Sequence, residues 1–554
     1  MPTADAATHP GPPNNPPRAE RLAGVTIPLF SLRGPRSWGI GEIGDLPAFA
    51  AWVRKAGIRL IQILPLGEIS GGETSPYSAL SAFGIDPLYI SLADVPDLGC
   101  DVQEALDASS SPVVQQDPGH ALLGRVRQSH DVDYHAVRAV KKQAFRLAFD
   151  RFFEGELPGS TPRALSFRWF CRENAAWLDD FALFRALKDA HEGKAFWSWG
   201  ERLRDRNPRA LSEAHLSLSR EVLYHQYLQW IAHTQWYEAR ARLRAMGVEI
   251  MGDLPFMVGR DSADVWAHQG EFRDDASVGV PPDAFNEEGQ DWGLPPYDWR
   301  AMAVTDFAWL RRRSRYVSSL YDRFRIDHLV GFYRTYMRQN DRRVDARGRL
   351  APGFFDPDVE PAQLAHGERV ISAMVEAARE SGAELIAEDL GTVPAFVRRS
   401  LSRLGVAGYR VLIWEKDDNV FRDPASYPPV SVACFGTHDT APVAVWWEGL
   451  GPEEREGVRR VLRVPQGVEI GERFTPSVHR ALVEALCNSG SDLVLLMAQD
   501  LLGTRERINT PATVGNHNWS YRLPATSEDL GRDDEVRARM EMVRSAIENS
   551  GRKR

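Results

Sequence analysis

From about residue 24 onward, short and nearly continuous apolar runs alternate with longer segments in which apolar residues recur every three or four positions. The runs fall at residues 24–30, 60–66, 248–253, 323–327, 384–388, 409–414, 431–435 and 492–499. An unbroken apolar run suits a strand buried on both faces, as in a parallel sheet covered by helices. Residues 45–56, 360–381, 394–404 and 475–487 carry helical spacing between such runs. Eight strands of this kind predict an α/β fold, a (β/α)8 barrel. The alternative is an open doubly wound sheet, whose usual glycine-rich phosphate turn after the first strand is not evident.

The spacing of the runs is uneven. Residues 95–245, rich in helix formers and tryptophans, separate the second strand from the third and predict a mainly helical insertion. A second insertion, residues 259–300, is rich in Pro, Gly and aromatics and reads as a rim loop; long loops at that edge of a barrel usually carry function. Such interruptions account for a barrel well beyond the usual ~250 residues. The expected organisation is a disordered proline-rich tail at 1–20, a catalytic barrel over 21–545, and a basic tail at 546–554.

Composition narrows the function. The 554 residues are 43% hydrophobic and 26% charged, ordinary values for a soluble globular protein. A net charge of −9 with no long basic run disfavours a nucleic-acid partner. No apolar stretch is long enough to span a bilayer, and residues 1–21 have no signal-like apolar core, so no membrane partner and a cytoplasmic location are expected. Four scattered cysteines, Cys100, Cys171, Cys434 and Cys487, read as free thiols.

Three strings then place carboxylates at predicted strand ends: Arg325-Ile326-Asp327-His328, Glu388-Asp389-Leu390-Gly391 and Gly436-Thr437-His438-Asp439. Asp327, Glu388 and Asp439 would follow strands four, five and seven, on the edge where barrel active sites form. One ionised and one protonated carboxyl are the working parts of retaining glycoside chemistry. Arg325, two residues before Asp327, shares its strand face and favours the ionised form. Burial after an apolar run and the neighbouring Asp389 would both raise the pKa of Glu388. Asp439 beside His438 is suited to holding sugar hydroxyls and stabilising positive charge at the anomeric centre. Sixteen tryptophans exceed ordinary core needs. Trp292 and Tyr297 in the rim loop, and Tyr77 in Ser75-Pro76-Tyr77, offer flat faces for a pyranose. Trp197, Trp199, Trp230 and Trp236 read instead as packing residues of the insertion. Other chemistries lack their patterns: no His-Glu-x-x-His zinc helix, no Gly-x-Ser-x-Gly elbow and no phosphate-binding loop are found. The Arg and His beside the carboxylates argue against a magnesium cage.

The chain resembles the 4-α-glucanotransferases (amylomaltases or disproportionating enzymes) of glycoside hydrolase family 77 over about residues 22–523. The likeness runs through Ser75-Pro76-Tyr77, Gly252-Asp253-Leu254-Pro255, residues 261–266 and 279–283, the three strings above, Gln499-Asp500, Asn509-Thr510-Pro511 and Asn518-Trp519. It implies a barrel with inserted subdomains, no separate C-terminal β domain, no cofactor and no metal. It also implies Asp327 as nucleophile, Glu388 as general acid/base and Asp439 as transition-state stabiliser. Ser75, Tyr77, Asp253, Gln290, Trp292, Arg325, His328 and His438 are the implied substrate-binding positions, with maltooligosaccharides and other α-1,4-glucans as substrates. The chain departs from the family pattern at Thr440-Ala441-Pro442 and Ile85-Asp86-Pro87, which bear on acceptor preference. An α-1,4-glucan hydrolase, or a non-catalytic glucan-binding barrel, is the alternative to transfer.

Overall fold

The computed structural model describes residues 20–99, 119–282, 287–342, 344, 348–418, 420–462, 464, 470–511, 513 and 515–552. Eight parallel strands close into a barrel: β1 (Leu22–Thr26), β2 (Leu60–Gln62), β3 (Glu249–Leu254), β4 (Arg323–Ile326), β5 (Glu384–Ala387), β6 (Ala407–Val411), β7 (Ser431–Cys434) and β8 (Leu493–Met497). Each pairs with its sequence neighbours, and β1 pairs with β8 to close the ring. Alternation along the strands divides the core. Leu22, Leu60, Met251, Ile386, Tyr409, Val432 and Leu493 form one buried cluster, while Ala23, Ile61, Ile250, Leu385 and Val494 belong to the larger cluster shared with the helices. The first set lines the barrel interior, since Gln62 on β2 donates to the hydroxyl of Tyr409 on β6, a strand that is not its neighbour (3.2 Å). These are the alternating faces expected of strands buried on both sides.

The predicted helices form with only their ends adjusted, at Leu46–Arg54, Glu360–Glu380, Ala395–Leu404 and Pro476–Cys487. The last has proline in its first turn and Thr475 as a side-chain cap, a pairing that satisfies otherwise open N–H groups. Between β2 and β3 run several helices, of which Pro162–Ala190 and Ser219–Ala245 pack against each other through aromatic contacts such as Phe167–Trp230 and Trp177–His233. Trp199, Trp230 and Trp236 are buried there, but Trp197 is 45% exposed and is not a packing residue. The connections after β3 and β4 together build a four-stranded antiparallel sheet over the mouth, ordered Gln290–Leu294, Ala276–Val280, Thr335–Gln339, Phe354–Asp356. The rim segment is therefore partly regular structure rather than an open loop; its residues 283–286 lie outside the described residues.

Three further points bear on the expectations. Residues 1–19, the bulk of the expected disordered tail, and Cys100 lie outside the described residues, and Cys171, Cys434 and Cys487 are free thiols. Among the described residues no helix is long and apolar enough to cross a membrane. The expected basic tail at 546–554 needs correction: it begins inside the helix Asp534–Asn549, and Arg552 is 3% exposed. The Arg552 guanidinium donates to the carbonyls of Cys487 (2.8 Å), Asp492 (2.9 Å) and Ser491 (2.8 Å), next to β8. Arg21, just before β1, donates to the carbonyls of Ser550 and Ser489. Five fixed N–H donors meeting open carbonyls at the base of a barrel explain why this arginine is buried rather than solvated.

Candidate active site

Strand register brings the first two carboxylates together. β4 and β5 are aligned with Ile326 opposite Ala387, so Asp327 and Glu388, one residue further on, leave the barrel side by side. They also meet through a peptide unit: the backbone N–H of His328 donates to Glu388 Oε2 at 2.7 Å, and that of Leu390 donates to Oε1 at 3.0 Å. His328 takes a left-handed conformation with φ of 44°, which is costly for a non-glycine residue and is held by the surrounding contacts. The same β3–β4 register sets Asp253 opposite Arg325. Gly252, just before Asp253, packs so closely on Tyr321 that an added Cβ would lie 2.2 Å from the ring.

Arg325 is the hub. It donates to both oxygens of Asp253 (2.8 and 2.6 Å) and to Asp327 Oδ1 (2.7 Å). Burial alone would lower its pKa, but Asp253 and then Asp327 outweigh that and raise it. Tyr77 joins the network by donating to Asp253 Oδ2 (2.7 Å), and its hydroxyl lies 3.1 Å from His438 Nε2. The Tyr77 and His438 rings stack at 5.5 Å with Trp519 beside both. Ser75 forms the turn that presents Tyr77, its carbonyl accepting from Ser78 and its hydroxyl from Tyr77. His438 Nε2 lies 3.4 Å from Asp439 Oδ2, so this histidine is satisfied by side chains.

The environment separates the carboxyls electrically. Burial is the largest influence on Glu388 and raises its pKa to about 7; Arg325 opposes this, and the charge of Asp327 adds to the rise. The expected contribution of Asp389 is corrected here. Asp389 is turned away, accepting from the Tyr409 N–H at 2.7 Å with Arg410 and Arg398 nearby. Asp327 remains about one-third exposed with Arg325 on one oxygen. Burial pushes the pKa of His328 down to about 4, so its imidazole is neutral at working pH.

The rim sheet completes the mouth. Trp292 stands edge-on to His328 with ring centroids 5.0 Å apart, and its Nε1 donates to the side chain of Gln290 at 3.0 Å. Arg338 fixes this strand by donating to the Gln290 carbonyl. Tyr297, expected as a sugar platform, is instead fully buried with its hydroxyl on the Phe256 carbonyl, because Arg313 and neighbouring rings enclose it. Asn509 was not foreseen as a partner of Asp439: its amide donates to Asp439 Oδ1 at 2.7 Å, while Arg507 donates to the Asp439 carbonyl. The departing segment after Asp439 is a tight turn in which the Thr440 hydroxyl bonds Thr437, followed by a helix whose Val443 N–H donates to buried Asp500. At the other departure, Asp86 is buried and accepts from Leu88 and Ile69. Among the described residues no group of three or more His, Cys, Asp or Glu is arranged to hold a metal ion.

A closed parallel barrel with two adjacent carboxyls at its C-terminal mouth, one raised by burial and the other hydrogen-bonded by Arg325, defines an enzyme of glycoside chemistry. The model of glycoside hydrolase family 77, described as 4-alpha-glucanotransferase, matches residues 27–527. The chain belongs to this family. It is similar to the 4-alpha-glucanotransferase of Chlamydia pneumoniae, at 31% identity over 522 residues covering 92% of each chain. It is likewise similar to that of Thermus thermophilus, at 33% over 518 residues covering 91% of this chain and 95% of the relative. Among solved structures it is similar to the amylomaltase from Streptococcus agalactiae in complex with acarbose, with a TM-score of 0.79 and 26% identity, covering 97% of this chain and 100% of that one.

Proposed function

We propose that the protein transfers a segment of a 1,4-α-D-glucan to the 4-hydroxyl of an acceptor glucan or glucose through a covalent glycosyl-enzyme. Asp327 is the nucleophile, Glu388 the general acid/base and Asp439 the stabiliser of the cationic transition state. The observation that carries this reading is the contrast between neighbours: Glu388 titrates near neutrality while Arg325 donates directly to Asp327. The first step needs one carboxyl protonated and the other ionised.

In that step an Asp327 oxygen attacks the anomeric carbon, the glycosidic C–O bond breaks, and Glu388 gives its proton to the leaving oxygen. Asp327 is then an uncharged ester. The negative charge that helped keep Glu388 protonated is gone, so Glu388, having given up its proton, stays ionised and is available to accept one. The acceptor hydroxyl attacks the same carbon, passes its proton to Glu388 and frees Asp327. Two inversions retain the α linkage. Tyr77, Asp253, Arg325, His328, His438, Ser75, Gln290 and Trp292 hold the sugar units, and neutral His328 presents imidazole rather than imidazolium to them. Maltooligosaccharides are the substrates, and the free cysteines support a cytoplasmic setting.

Incubation with maltotriose tests the reading. A ladder of longer maltooligosaccharides together with glucose is expected. Products no longer than the substrate, at every substrate concentration, would refute transfer and favour hydrolysis.

A further inference from the structure

Trp197 sits in the short turn Phe196–Ser198 of the helical insertion, with an indole 45% exposed. The Arg260 guanidinium lies over it, 5.1 Å from the ring centroid. Arg260 makes no hydrogen bond or ion pair with any described residue. Its acidic neighbour Asp261 is engaged elsewhere, accepting from Lys188 Nζ (2.6 Å) and from the Phe196 N–H (3.1 Å). The bond from Phe196 ties the turn, and that from Lys188 the helix Pro162–Ala190, to the loop after β3, so the Trp–Arg pair stands on a braced junction. A cation with no anion beside an exposed indole contributes little to the fold, and its N–H donors are open to solvent.

The junction belongs to the mouth of the barrel. The Ala263 N–H donates to the Leu80 carbonyl (2.8 Å), and the Ala82 N–H donates to Asp264 (2.8 Å). At most about 7 Å of backbone separates Ala79, which packs on Gly259, from Tyr77 in the site. The pair therefore lies on the edge of the site but outside its carboxylate network.

We propose that Trp197 and Arg260 form an outlying subsite for one glucose unit of a long α-1,4-glucan, beyond the units held at the carboxylates. The inference rests on the glucan-transfer reading. The exposed indole face packs on the apolar face of a pyranose, and the guanidinium donates to its hydroxyls. A protein partner would need a far larger apolar patch than one indole.

The test compares donors of different length in the full-length enzyme. Trp197→Ala is expected to lower kcat/KM for amylose about five-fold through KM, the ratio given by a stacking contact of ~1 kcal/mol, and to leave maltotriose within two-fold. Trp197→Phe is expected to recover part of the loss. Equal effects on both donors, or none on amylose, would overturn the subsite. Retardation in native gels containing amylose gives a second readout that needs no turnover: Trp197→Ala should migrate faster than wild type, and unchanged retardation overturns the proposal. If wild type fails to disproportionate maltotriose, the transfer reading falls, while the gel still decides whether this surface binds glucan.

Discussion

Replacing Glu388 by glutamine separates the electrostatics of the site from its chemistry. A rise from the ordinary 4.5 to about 7 corresponds to about 3 kcal/mol of preference for the protonated form in the folded protein. The sign follows from linkage. A carboxyl whose folded pKa is raised contributes stability that is present below its unfolded pKa and lost as the pH climbs through the folded value. Wild type should therefore lose about 2–3 kcal/mol between about pH 5 and pH 8.5 through this residue, and Glu388→Gln should not. With the typical unfolding entropy per residue, this makes a gap of about 2–3 °C in Tm for a chain of 554 residues. The absolute offset carries less meaning. Glutamine has one acceptor oxygen for the two N–H donors of His328 and Leu390, a cost of about 1–3 kcal/mol that does not depend on pH. Calorimetry on both proteins at the two pH values reads the change in the gap. An unchanged gap would refute the claim that Glu388 is held near neutrality by burial and Asp327. Transfer activity should fall at least about 10²-fold, since an amide supplies no proton.

Other substitutions probe the network around it. Arg325→Leu strands the buried carboxylate of Asp253 and should cost about 3–5 kcal/mol, read as a lower urea midpoint. Asn509→Ala releases one oxygen of Asp439 and should lower kcat about ten-fold with little change in KM and an unaltered circular dichroism spectrum; an equal rise in KM would assign it to substrate binding instead. Tyr77→Phe removes the hydroxyl shared by Asp253 and His438 and should cost about 1.5–3 kcal/mol in kcat/KM for maltotriose, with wild-type kinetics counting against its place in the site.

The barrel was legible because double-sided burial writes unbroken apolar runs, and each of the eight strands overlaps one of them, with ends shifted by one or two residues at Leu22, Leu254 and Ala407. The edge position of Asp327, Glu388 and Asp439 followed from those runs. What faces what did not. Glu388 and Asp389 are adjacent in sequence, yet consecutive side chains on an extended chain point to opposite sides, so Asp389 turns to Arg410 while Asp327, far away in sequence, supplies the like charge. Composition also misled: aromatics look alike in a sequence, but Tyr297 is enclosed and Trp197 is not, because enclosure depends on which segments fold over them. Asn509 stood in a family motif, but nothing in the sequence paired it with Asp439, since its loop reaches Asp439 only after β8 is in place.

The arginines at the β1–β8 seam carry a consequence for how the chain is made. β1 emerges first from the ribosome, but its partner β8 and Arg552 are synthesised only after more than four hundred further residues. Until then β1 has one open edge, and β2 alone covers the other. Because Arg21 holds the Ser489 carbonyl and Arg552 the Leu22 carbonyl across the β1–β8 seam, the ring cannot latch until Arg552 has been made, and a nascent chain stalled before it would present an unlatched barrel to chaperones and proteases.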